Sequence, residues 1–113
     1  MHHIRRFKYA LGGIYHALLT DKSYRLQFWG IGLFVILFGY WQWPLSQTEL
    51  LFLGLAYALV LITELQNSSF EAALDHLHPE AHEQVGKSKD MAAGAVLTAG
   101  LFLFFVMLVI VFF

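Results

Sequence analysis

The chain has 113 residues, 58% of them hydrophobic and 13% charged, with a net charge of −1 and no cysteine. That length suits one domain; the balance excludes a basic field for nucleic acid, and the missing cysteines exclude disulfide and thiolate chemistry. Water-soluble domains carry roughly 25% charge, whereas here Glu49 is the only charge between positions 26 and 62 and residues 91–113 have none, so the apolar blocks belong in a membrane.

Residues 1–25 read as a helix lying on the membrane surface. Ile4, Phe7, Leu11, Ile14 and Leu18 recur at helical spacing, with Arg5, Lys8 and Tyr15 on other faces. No long apolar core precedes a small-residue cleavage site, so this stretch is not expected to be removed as a signal peptide. Residues 26–45 form the first expected span, with Tyr40, Trp41 and Trp43 where an aromatic belt lies. The second is expected over 50–75. Its apolar run, 50–63, falls short of the roughly 20 residues a crossing takes. The helix should therefore continue through Glu64, Gln66, Asn67, Ser68 and Ser69 as a cytoplasmic extension. Pro79 and Gly86 bracket a loop over 76–88, and residues 89–113 form the third span.

Orientation follows from the basic residues. Arg5, Arg6, Lys8, Lys22 and Arg25 precede the first span and Lys87 and Lys89 the third, while residues 45–49 have neither Lys nor Arg. The positive-inside rule puts the N-terminus and the loop in the cytoplasm and the C-terminus outside. The expected fold is an all-α membrane protein, with an amphipathic surface helix and three transmembrane helices in a single domain over 1–113.

The chemistry concentrates at the polar end of the second span. At the helical period, Glu64, Asn67, Glu71 and Asp75 fall within an arc of about 80°. Ionisable side chains at this depth are costly and normally face a polar cavity or a partner. A solvated helix end accounts for Glu71 and Asp75, but poorly for Glu64 and Asn67 directly beneath an apolar run. Lys87, Lys89 and Asp90 precede the third span, where lysines either hold phosphate oxygens or anchor the helix at the cytoplasmic face. Asp21, ahead of the first span, suits a helix cap or a carboxylate facing the stripe. Gly86-Lys87-Ser88 is not a phosphate-binding loop, because that motif needs glycine at position 81, which is Ala81. His76, His78 and His82 lack a clear fourth ligand for zinc.

Taken together, ELQNSSFEAALD (64–75) and HEQVGKSKDMAAGAVL (82–97) resemble the signature of the prokaryotic diacylglycerol kinase family. FKYALGGIYHALLTDKSYRLQ (7–27) resembles the family's surface helix leading into the first span. The resemblance implies a small homotrimeric kinase of the bacterial cytoplasmic membrane, multi-pass, with active sites shared between subunits. Such a kinase transfers the γ-phosphate of ATP, with magnesium, to a membrane lipid hydroxyl. It implies Glu64 as general base, and Asp21 and Glu71 as metal ligands, Asp21 being shorter than the family's usual glutamate. Nucleotide contacts carried over are Tyr9, Asp21, Glu71, Glu80, His82, Lys89 and Asp90. Arg25, Glu64, Asn67 and Ser68 are carried over toward the lipid, with Asp75 in support. The expected lipid is diacylglycerol, with undecaprenol the alternative inside the family. A non-enzymatic proton or ion relay is the rival from another class. It needs charged groups across the membrane depth, and the apolar runs 26–44 and 91–113 contain none.

Overall fold

A computed structural model describes residues 2–80 and 82–113; Met1, in the expected surface helix, and Ala81, in the expected loop, lie outside the described residues. The described chain is helical and contains no strand. Helix α1 (His2–Thr20) is followed by the short α2 (Lys22–Leu26), a π-helical turn (Gln27–Ile31) and α3 (Gly32–Trp41). After a turn containing a cis Trp43–Pro44 bond come α4 (Gln47–Leu77) and α5 (Glu83–Phe112).

The helix expected over 1–25 breaks at Asp21, whose backbone is extended at φ −103 and ψ 105. Its Oδ1 accepts from the Tyr24 amide at 3.1 Å, satisfying a donor that the first turn of α2 leaves orphaned. From the other side, Arg25 Nη1 donates to the carbonyls of Leu18 at 3.3 Å and Leu19 at 3.0 Å, which the end of α1 leaves unpaired. One acidic cap and one basic clamp thus fix the joint between α1 and α2.

The π turn is tied to α4. Tyr57 donates its hydroxyl to the Phe28 carbonyl at 2.6 Å, taking up an acceptor in the stretch where the α-helical ladder is interrupted. A Cβ at position 32 would lie 2.6 Å from that hydroxyl oxygen, so the approach of the two helices requires Gly32.

Helix α4 starts in a capping box. The Ser46 hydroxyl accepts from the Glu49 amide at 3.1 Å, and the Glu49 carboxylate accepts from the Ser46 amide at 2.8 Å. It then runs unbroken past its apolar half to Leu77. Helix α5 begins at Glu83, so Gly86, expected to close the loop, lies inside a helix. The cause is local: His82 Nδ1 accepts from the Gln84 amide at 3.1 Å, and Glu83 pairs with Lys87 one turn on.

The core lies between α4 and α5. Leu53, Ala56 and Val60 meet Ala99, Leu103, Val106, Met107 and Ile110, with Ile31, Val35, Phe38 and Leu45 packed alongside. The alanines let the two backbones approach closely, as membrane helices do. Most remaining apolar side chains face outward, among them Phe34, Ile36, Leu37, Leu101, Phe104 and Phe105. Continuous apolar exposure of this extent needs lipid or protein against it. Helices α4 and α5 are each long and apolar enough to cross a membrane, with mean hydropathies of 1.8 and 2.9.

Candidate active site

Where the apolar half of α4 gives way to its polar half stands Glu64, 4% exposed and the only buried charged side chain among the described residues. A carboxylate so placed needs a hydrogen bond to offset lost hydration. It has one: Ser23, on α2, donates its hydroxyl to Glu64 Oε1 at 2.7 Å. One turn further on, Asn67 Oδ1 is buried with no hydrogen-bond partner. Buried acceptors without a partner are uncommon.

The rest of the stripe opens to solvent. Glu71 and Asp75 are exposed, and Asp75 forms an ion pair with Lys89, tying the cytoplasmic end of α4 to the start of α5. Asp90 next to it is exposed. Asp21 borders a cleft of about 600 Å³ between α1 and α4, sharing it with Gly13, Thr20, Ser68 and Ala72. Glu80 and His82 share a hollow of about 180 Å³ with His78, whose ring centroid lies 6.0 Å from that of His82. Tyr9 stands exposed on α1. Arg25 points its guanidinium at the end of α1.

Two contacts thus tie candidate residues to other elements within one chain: Ser23 of α2 with Glu64, and Asp75 with Lys89. Asp21 and Ser68 share one cleft, which Glu71 does not line. No three histidine or carboxylate side chains among the described residues stand close enough to hold a metal ion together. Asp21 and Glu71, expected as joint metal ligands, are therefore not brought to one site within this chain. Two polar residues escaped the sequence reading. Ser23 and Tyr57 each bond across 41 or 29 positions of sequence, a separation that no helical period registers.

Chemically, the arrangement presents a carboxylate at the boundary of an apolar helix. Beside it are a buried amide oxygen and the largely apolar cleft between α1 and α4, with a lysine and several carboxylates further toward the polar end of α4.

Residues 8–111 match the family described as prokaryotic diacylglycerol kinase. The diacylglycerol kinase of Escherichia coli (strain K12) is 31% identical over 97 residues, covering 85% of this chain and 77% of the relative. That of Shigella flexneri matches to the same extent. The diacylglycerol kinase of Synechocystis sp. is 31% identical over 97 residues, covering 84% of this chain and 54% of the longer relative. The chain belongs to the prokaryotic diacylglycerol kinase family, and its chemistry is the phosphoryl transfer of a lipid kinase.

Proposed function

We propose that this protein transfers the γ-phosphoryl group of ATP to the hydroxyl of diacylglycerol at the cytoplasmic face of the inner membrane, giving phosphatidic acid and ADP. The observation that carries the reading is Glu64, a buried carboxylate already accepting a hydrogen bond from an alcohol, Ser23, at 2.7 Å. A lipid hydroxyl needs the same approach, since a base must stand within hydrogen-bond reach of the proton it takes.

In the reaction the lipid oxygen attacks the γ-phosphorus as its proton passes to Glu64. The bond from that phosphorus to the β,γ-bridging oxygen breaks, and ADP leaves. Asn67 offers its amide Nδ2–H to an ester carbonyl of the incoming lipid, and Ser68 faces the cleft beside it. Asp21 and Glu71 would hold magnesium, which would offset the charge developing on the phosphates. Lys89 exchanges Asp75 for a phosphate oxygen when nucleotide arrives, with Tyr9, Glu80, His82 and Asp90 around the rest of it and Arg25 toward the lipid.

The membrane arrangement follows the same reading. Residues 22–41 are continuously helical, and at 1.5 Å per residue they extend about 30 Å, enough for a third span beside α4 and α5. Helix α1 lies on the cytoplasmic surface with its apolar stripe, Ile4, Phe7 and Leu11, turned toward lipid. Three copies enclose the polar stripes, each site drawing side chains from more than one subunit. The relatives' names support diacylglycerol as the acceptor.

The test is phosphorylation by purified protein, with ATP and magnesium, of diacylglycerol and of undecaprenol supplied separately in mixed micelles. Diacylglycerol is expected to be the faster substrate, and Glu64→Gln to lower kcat by about 10²–10⁴-fold while nucleotide still binds. Faster turnover of undecaprenol overturns the lipid assignment; normal turnover by Glu64→Gln overturns the base.

A further inference from the structure

We infer that Ser23 is a positioning residue for Glu64: its hydroxyl holds one carboxylate oxygen so that the other is presented to the lipid. This rests on the kinase reading above and adds a residue to it.

A glutamate has several rotatable bonds, and ordering such a side chain costs up to about 2 kcal/mol of rotamer freedom. Glu64 needs an anchor if its oxygens are to stand in one place, and within the chain it has a single one. Ser23 donates to Oε1 at 2.7 Å, while Oε2 accepts no hydrogen bond among the described residues. No other polar side chain on α4 is hydrogen-bonded to Glu64 among the described residues. Thr63 donates back to the carbonyls of Leu59 at 2.7 Å and Val60 at 3.1 Å. The buried atom of Asn67 is its acceptor oxygen.

Ser23 is itself held in place. It sits on the five residues of α2, between the Asp21 cap and the Arg25 clamp onto α1. Tyr24 beside it is buried, at 3% exposure, which keeps α2 from rolling. The short helix therefore carries a donor to the base and, two residues earlier, the carboxylate assigned to the phosphate side. Because phosphoryl transfer depends mainly on positioning and electrostatics, setting both groups from one rigid element fixes the distance that matters.

The experiment compares Ser23→Ala, Ser23→Thr, Glu64→Gln and the Ser23→Ala/Glu64→Gln double variant as full-length protein in mixed micelles. Four quantities are read for each: kcat, KM for ATP, KM for lipid and the thermal midpoint. Since a small misplacement costs about 10²-fold, Ser23→Ala should lower kcat by about ten- to a hundredfold and leave KM for ATP within about twofold. Ser23→Thr keeps the hydroxyl and should return kcat to within about threefold of wild type. In the Glu64→Gln background Ser23→Ala should cost nothing further, because groups that act as a unit are not additive. A merely structural serine would lower the thermal midpoint and cost the same factor in both backgrounds. Wild-type kcat in Ser23→Ala, no recovery in Ser23→Thr, or equal losses in both backgrounds would each overturn the inference. If Glu64→Gln is inactive while Ser23→Ala is normal, Ser23 alone is misassigned; if Glu64→Gln turns over normally, the base assignment itself fails.

Discussion

Asp21 and Glu71 differ from Glu64 in what surrounds them. Glu64 is enclosed and Glu71 is open to solvent two turns further along α4, while Asp21 gives one oxygen to its own helix. On the proposed roles the lost functions should differ. Glu71→Gln should weaken the metal site and shift the magnesium dependence of the initial rate to much higher concentration, with turnover recovering there. Asp21→Asn should show a milder form of the same shift, since the amide oxygen can still cap α2. Initial rates and nucleotide binding measured against magnesium distinguish these from Glu64→Gln, whose defect no magnesium should relieve. Retained low-magnesium activity in Glu71→Gln would remove it from the metal site. The polar stripe itself was legible in sequence, because Glu64, Asn67, Glu71 and Asp75 obey the helical period. The contrast between Glu64, beneath the apolar run, and the solvated Glu71 and Asp75 was legible too; what covers Glu64 was not, since that depends on α2 folding over it and on a serine far away in sequence.

At the scale of elements, periodicity and composition gave the two long helices and the polar continuation of α4. The joint at Asp21 and the extension of α5 back to Glu83 depended instead on side-chain caps. By sequence Asp21 suits a cap or a site carboxylate, and it does cap α2. The approach of α3 to α4 rests on Gly32 and on the Tyr57 hydroxyl bonded to the Phe28 carbonyl. Tyr57→Phe should cost about 1 kcal/mol, the usual net worth of such a bond. Gly32→Ala pushes a methyl against the same oxygen and should break the same bond. The double variant should then lose less than the sum of the two, because removing the hydroxyl also removes the clash. Thermal midpoints in one detergent, for all three proteins, measure this. Full additivity would mean that Gly32 and Tyr57 do not act through one contact.

For the whole molecule, the proposed trimer is motivated by how much a single chain leaves uncovered. Apolar side chains face outward on every long helix, and part of the polar stripe is exposed. Gly30, Gly94 and Gly100 have nothing within 4 Å of where a Cβ would stand, so their faces are free for another helix. A detergent-corrected mass of three chains is expected for active protein; full activity at the mass of one chain would exclude sharing of sites. The basic residues before the first span and in the loop predict a C-terminus outside. A C-terminal reporter that works only in the cytoplasm should stay silent, and a positive signal would reverse the topology. The π turn at Gln27–Ile31 has a consequence for the chain's tolerance of length. Such a turn accommodates one residue more than an α-helix would use, and one residue is worth about 100° of rotation. Deleting a residue there would leave the helix able to span, yet swing Val35 and Phe38 away from the core they pack against. The helical run 22–41 is thus a lock whose key is its residue count. Hydrophobic substitutions along it should pass easily, while single insertions and deletions should not.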